Sequence, residues 1–274
     1  MNKIVFNLPE TFAYNLFKLN QIDCYLYDTL TSTNDQAWLL EKQNNIPFPF
    51  VVIARQQTAG KGQRGHIWRS HLGGLYLSLG LELNLPVNCL HHLTLFSASA
   101  IASEFNNIKI PVAIKWLNDL ILEGRKLGGI LWETKIEKSI IKKAVIGIGI
   151  NYQNNSPANG ISLNDYLCVG QNPDIDSIEK IGFLAIKAII NGYYFYKNYG
   201  IDFVVKTYNS LLYNHKETAL INQQKGEILG VNKNANLLIK ISSQNAKTII
   251  KFPPEKYSIS YNKNSQGYFV LEEK

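Results

Sequence analysis

The 274-residue chain predicts an α+β fold: a mixed β-sheet with packed helices over residues 1–217, followed by a small β-barrel over residues 218–274. Two observations lead there. Up to about Glu217, segments of strand length are interrupted by stretches with helical spacing of apolar residues. Beyond it, short alternating segments follow one another with only turn residues between them. No segment repeats at a fixed period.

Cys24–Asp28 (CYLYD) alternates and predicts a strand. Ser32, Thr33 and Asn34 form a cap cluster ahead of apolar Ala37, Leu39 and Leu40, which predicts a helix start. Phe50–Ala54 reads as a buried strand entering a glycine-rich loop, and Leu75–Leu83 as the strand leaving it. His91–Phe105, rich in Ala, Leu and Ser, predicts a helix. Strands follow at Val112–Trp116, Leu120–Leu122, Leu127–Thr134 and Ser139–Ile150, with a turn at Glu123–Gly124. Ile178, Ile181, Leu184, Ala185, Ala188, Ile189 and Tyr193 recur at helical spacing, so Ser177–Asn198 predicts an amphipathic helix and Asp202–Leu212 a second one. NLLIKI, KTIIKF, YSISY and GYFVLE are the expected strands of the barrel.

Composition excludes several classes. At 46% hydrophobic and 18% charged, the balance is globular. Cys24, Cys89 and Cys168 are widely spaced and odd in number, with neither disulfide framework nor metal-like pairing, so a reducing compartment is expected. MNKIVFNLPETF has no long apolar core or cleavage site, and no run is long enough to span a bilayer, so no membrane is expected and the location is taken as cytoplasmic. The net charge is +7, but the lysines are scattered, with Lys142–Lys143 the only adjacent pair, which disfavours nucleic acid as the main partner. Among the five histidines, His91 and His92 are adjacent and point to different faces, while His66 and His71 fall in a loop, so no transition metal is expected.

The loop Gln56–Trp68 (QQTAGKGQRGHIW) carries three glycines, Lys61 and Arg64. Gly60 and Gly65 have Walker spacing, but His66 stands where lysine is required. Gly60, Gly62 and Gly65 fit G-x-G-x-x-G, a motif that works only where the third glycine opens a helix. Here the glycines run on to Trp68 and then to the strand-like LYLSLGLEL, so the dinucleotide reading fails.

Four segments occur in order: STND (Ser32–Asp35), QTAGKGQRGHIW (Gln57–Trp68), KWLNDLILEGRKLGGILWE (Lys115–Glu133) and VIGIGIN (Val145–Asn151). Together they resemble the catalytic domain of biotin protein ligases, strongly over Asp28 to Asn151 and more loosely beyond. The resemblance implies a class II synthetase-like fold with an SH3-like C-terminal barrel. It also implies ATP-dependent formation of biotinyl-5′-AMP, with Mg2+ accompanying ATP. Biotin would then pass to a lysine of a biotin carboxyl carrier domain of acetyl-CoA carboxylase. Roughly 20 residues precede the first predicted strand, too few for a three-helix reader of DNA, so the resemblance is to the catalytic-only type and no DNA is expected.

The chemistry is arguable from residue types as well. A carboxylate attacking an α-phosphate brings two anions together, which demands cations and oriented N–H groups in a water-poor site. Glycines let the backbone approach a ligand, and Lys61 and Arg64 add fixed charge, so the loop reads as a pliable clamp over an acyl-adenylate. Gly60, Lys61, Arg64, Trp68, Asn118 and Asn151 are the implied adenylate residues. Ser32, Thr33, Asn34, Gln57, Lys61, Gly62, Gln63, Lys126 and Gly129 are the implied biotin residues. Lys126 is, by resemblance, the lysine that contacts both the biotin carboxylate and the α-phosphate; outside that company it reads as a solvated lysine beside a turn. Ser32, Thr33, Asn34 and Gln57 suit a neutral ureido ring, and the first three also cap a helix. Gly129 makes room for a flat ring against its strand. Trp68 reads either as a lid on adenine or as core. Asp119 is the expected base for the carrier lysine, with Lys126 and Arg64 completing the catalytic set.

Three departures from the family pattern stand out. Lys61 replaces an arginine, and Gln63 removes a charge that in this family helps hold the adenylate. Leu117 stands where proline is common. FPPEKYSISY lacks a glycine pair often seen there. Two alternatives remain open at this point: a lipoate or octanoate ligase, and a non-catalytic biotin-binding protein.

Overall fold

The computed structural model describes residues 2–7, 21–44, 46–167, 175, 177–242 and 247–274. Eight strands form one sheet in the order β1-β2-β3-β4-β8-β7-β6-β5. They are β1 (Asn2–Asn7), β2 (Gln21–Leu30), β3 (Phe50–Gln57), β4 (Leu75–Pro86), β5 (Ala113–Lys115), β6 (Asp119–Leu122), β7 (Arg125–Glu137) and β8 (Ile140–Ile150). Only β2 and β3 pair in parallel, and α1 (Thr33–Asn44) makes the crossover between them. Every other ladder of this sheet is antiparallel, so the sheet is mixed, as the alternating segments predict.

Strand parity sorts the core. Val51, Leu77, Leu79, Ile146 and Ile148 face the larger cluster, which α2 (Leu90–Asn107) and α4 (Ile178–Ser210) cover. Phe50, Val52 and Val145 face the opposite side and pack with Ala37 and Leu40 of α1. That second face is where parity also puts Ser78, Gly147 and Gly149, and there the smaller apolar cluster gives way to an open floor.

Two expected helices, Ser177–Asn198 and Asp202–Leu212, occur as one run broken at Gly200, whose φ of 77° no continuing helix adopts. The Ser177 hydroxyl caps its start by accepting from the Lys180 amide at 3.3 Å. Strand β1 is a correction, since the first strand was expected at Cys24. Ile4, Val5 and Phe6 run together without alternation, and their strand is defined by antiparallel pairing with β2. Leu163–Leu167, a short helix α3, was also not foreseen. Cys168 lies outside the described residues.

From Thr218 onward six strands pair in the order β12-β11-β10-β9-β14-β13. They are β9 (Thr218–Ile221), β10 (Gln224–Val231), β11 (Leu237–Ser242), β12 (Lys247–Phe252), β13 (Tyr257–Ile259) and β14 (Phe269–Glu273). Ala219, Ile228, Leu237 and Ile239 join the larger core cluster, and the Trp116 indole donates to the Ala235 carbonyl at 2.8 Å. The C-terminal sheet is therefore seated beside the start of β6. No helix among the described residues is long and apolar enough to cross a membrane.

Candidate active site

One cavity of about 730 Å³ opens between the α1 face of the large sheet, the glycine loop and the C-terminal sheet. Its floor is bare backbone. Gly149 pairs with Gly129 across β7–β8, and Gly147 pairs with Ser78 across β4–β8. The alternating glycines of GIGIN leave room on one face, which Asn34 takes up against Gly147 and Trp68 against Gly149.

At the closed end, Thr33, Asn34, Gln57 and Ser78 form one polar network. The Thr33 amide donates to Gln57 Oε1 at 2.7 Å, and the Ser78 hydroxyl lies 2.8 Å from Thr33 Oγ1 and 2.6 Å from Asn34 Oδ1. Gln57 passes the network on to the Ser70 hydroxyl at 2.8 Å. Asn34 Nδ2 is buried with no hydrogen-bond partner among the described residues, and so is the Trp68 indole N–H. An unpaired buried donor costs about 1–3 kcal/mol, so these two await an acceptor. Ser32, Thr33, Asn34 and Gln57 all line the cavity, and the helix start and the polar wall are the same residues.

The glycine loop folds back on itself as a small hairpin. Lys61 bridges Ile67, the Gly62 amide donates to the His66 carbonyl at 2.7 Å, and the Trp68 amide donates to the Gly60 carbonyl at 2.8 Å. Its tip, Gln63–Gly65, is a single 3₁₀ turn with Arg64 at φ 58°, after which His66 is extended. No helix begins at Gly65, in accord with rejecting the dinucleotide motif. Lys61, Gly62, Gln63, Arg64 and Trp68 line the cavity. Lys61 is paired with Asp35, a contact that raises its pKa, and lies 3.7 Å from Glu133. The Arg64 guanidinium donates to the Pro254 carbonyl of the C-terminal sheet.

Lys126 enters from β7 with its ammonium 2.7 Å from Asp119 Oδ1 and 5.2 Å from the Trp68 ring centroid. Asn118 holds β7 in place, donating its side-chain amide to the Ile130 carbonyl at 2.8 Å. Lys126, Asn118, Asp119 and Gly129 share the cavity with Arg64, so the ammonium and the cationic loop open onto one space.

Two of the expected site residues stand outside the cavity lining. Gly60 does not line the cavity. A Cβ there would lie 2.5 Å from the Trp68 carbonyl oxygen, so this glycine closes the hairpin. Asn151 does not line it either. It is buried, and its side-chain amide donates to the Lys126 carbonyl at 3.3 Å, supporting the lysine's backbone. Gly129 lines the cavity, and of the two paired glycines it is Gly149 that the Trp68 ring presses closest. A Cβ at 149 would stand 2.5 Å from the Trp68 indole, against an ordinary 3.4 Å at 129.

Other cavity residues were not anticipated. Lys115, 6% exposed, lies 3.7 Å from Asp119 Oδ2, and Tyr261, in the loop after β13, donates its hydroxyl to the same oxygen. Burial holds the Lys115 ammonium below its ordinary range; the Lys126 charge adds to this and Asp119 opposes it. Lys274 donates to the Pro254 carbonyl at 3.0 Å, and burial, with Arg64 and Lys115 nearby, lowers its pKa to about 8. Lys115 was within reach of the sequence as the first residue of KWLND. Tyr261 and Lys274 carried no local signal.

Residues 26–151 match the Biotin/lipoate A/B protein ligase family. The bifunctional ligase/repressor BirA of Bacillus subtilis is 38% identical over 127 residues, which are 46% of this chain and 39% of that protein. The biotin–[acetyl-CoA-carboxylase] ligase of Paracoccus denitrificans is 32% identical over 123 residues, 44% of this chain and 50% of that protein. The chain thus aligns with half or less of the length of these curated relatives. Among solved structures, the biotin protein ligase of Aquifex aeolicus in complex with biotin and ATP superposes with a TM-score of 0.66 at 22% identity, covering 92% of this chain and 99% of that one. The Leishmania major biotin protein ligase in complex with biotinyl-5-AMP reaches 0.58 at 19% identity, covering 84% and 98%. At those identities the likeness is one of fold. Over residues 26–151 the chain is thus similar to the biotin/lipoate A/B protein ligase family, and its fold is that of the biotin protein ligases.

Proposed function

We propose that this chain activates biotin with ATP to biotinyl-5′-AMP and transfers the acyl group to a lysine of a biotin carboxyl carrier domain. The carrying observation is the shared cavity, polar and neutral at its closed end and cationic where Lys126, Lys115, Arg64 and Lys274 meet. Two unit anions about 4 Å apart repel by roughly 4 kcal/mol at an effective dielectric of about 20, and fixed cations offset that cost. In the first step a biotin carboxylate oxygen attacks the α-phosphorus and pyrophosphate leaves, with Lys126 set between the two anions. In the second, the carrier amine attacks the acyl carbon, AMP leaves with the C–O electron pair, and Asp119 takes up a proton from the amine.

Biotin is favoured over lipoate by the uncharged hydrogen-bonding end of the cavity. Asn34 Nδ2 awaits an acceptor there, as a ureido carbonyl would supply. Ligand names attached to the similar structures, biotin with ATP and biotinyl-5-AMP, support the same reading. Magnesium would arrive with ATP on phosphate oxygens and water. The described residues gather no group of three or more His, Cys, Asp or Glu for it, and no residue is assigned to it. A cytoplasmic location suits the free Cys24 thiol, which burial pushes up to about 12.

The test is incubation of the chain with labelled biotin, ATP, magnesium and a biotin carboxyl carrier domain. Label on the carrier lysine is the expected result. Biotin binding without pyrophosphate release would make the chain a binding protein, and preference for lipoate would make it a lipoate ligase.

A further inference from the structure

We propose that Tyr261, in the loop after β13, is a positioning residue for Asp119 in the transfer step, an inference that rests on the ligase reading above. Asp119 is 8% exposed and its two oxygens are held differently. Oδ1 takes the Lys126 ammonium at 2.7 Å; Oδ2 accepts the Tyr261 hydroxyl and faces Lys115 at 3.7 Å. The Tyr261 ring also covers the Lys115 ammonium, 4.0 Å from its centroid. A single side chain from this loop therefore restrains both the carboxylate and its buried cationic neighbour.

The hydroxyl remains a donor throughout the working range, because burial and the Asp119 charge both push the phenol up. Its reach is set by backbone. The Ser260 amide donates to the Val270 carbonyl at 2.9 Å and the Val270 amide to the Ser260 hydroxyl at 2.9 Å, which fixes the segment bearing Tyr261 against β14. Without that donor, Oδ2 is free to swing towards Lys115 and out of line with an incoming ammonium. Transfer needs the carrier ammonium to pass one proton to Asp119; its nitrogen then attacks the acyl carbon, AMP departs with the C–O electron pair, and the second proton shed by the nitrogen leaves to solvent. A nucleophile already neutral at pH 7 needs no such help.

Full-length Tyr261→Phe, Asp119→Asn and the double variant are each given preformed biotinyl-5′-AMP, with either the carrier domain or hydroxylamine as acceptor. For Tyr261→Phe we expect carrier transfer to fall about tenfold, the size of one charge-assisted hydrogen bond. Carrier KM, adenylate formation and capture by hydroxylamine should stay within about twofold. In the Asp119→Asn background, Tyr261→Phe should add nothing further. Unchanged carrier transfer, equal loss towards both nucleophiles, or independent multiplication of the two effects overturns the proposal. A wild-type chain that forms no biotinyl-5′-AMP from biotin and ATP instead overturns the ligase reading, and this inference with it.

Discussion

At the closed end of the cavity Thr33, Asn34 and Ser78 are each less than 5% exposed and bonded into a single network, whereas Ile67 in the glycine loop stands 81% exposed. The floor is assembled by the sheet itself: its polar groups are desolvated when the chain folds, and ligand binding finds them already oriented. The loop and the C-terminal rim meet the cavity through long side chains, with Arg64, Lys274 and Tyr261 reaching in from separate elements. On the proposed function, recognition of a neutral ring belongs to the first region and control of charge to the second. Changes in the floor should therefore disturb folding and binding together, and changes at the rim should alter catalysis with little effect on stability.

Lys126→Ala gives the largest expected separation. Its side chain is 31% exposed, so the melting temperature should hold within a few degrees while adenylate formation falls by about 100-fold or more. Comparable loss of both would erase the distinction between the regions. Next comes a pair of glycines. Gly149→Ala, pressing on the Trp68 indole, should raise the biotin KM roughly tenfold and Gly129→Ala less than about twofold, measured by pyrophosphate release. The reverse order would mean that the ring lies over β7. Ser78→Ala, within the floor network, should cost about 1 kcal/mol in denaturant unfolding and raise the biotin KM several-fold. Loss of binding alone would show that the network is not structural.

Smaller effects are expected at the rim. Gln63→Arg should slow escape of free biotinyl-5′-AMP by a few-fold without changing the melting temperature. Equal release would show that Arg64 already suffices. Lys274, with its pKa lowered to about 8, carries its charge at neutral pH and loses it as pH rises through that value. The ATP KM should thus rise modestly, about two- to threefold, between pH 7 and 9, and Lys274→Met should flatten that rise.

The legible part of the molecule is that in which function coincides with local pattern. Alternation in GIGIN foretold room on one face, which Asn34 and Trp68 take up, and Ser32–Asn34 served as both helix start and cavity wall, because strand parity and capping are properties of neighbouring residues. Gly60 and Asn151 fall outside the cavity lining for one reason. Whether a glycine faces a ligand, a carbonyl or an indole depends on which segment folds over it, and spacing does not carry that information. Ser78 was invisible inside an apolar strand, LYLSLGLEL, where nothing marks it as the partner of Thr33. Tyr261 reads as one more residue of YSISY, and its meeting with Asp119 spans 142 positions. Strand β1 needed its partner to be recognised as a strand at all.

Release of pyrophosphate from ATP and biotin without any carrier, followed at micromolar enzyme, tests most directly whether loop and ammonium converge on one mixed anhydride. A rapid burst of one pyrophosphate per chain, present with biotin, absent with lipoate and abolished in Lys126→Ala, is the expected result. No burst with biotin, or an undiminished burst in Lys126→Ala, would contradict it.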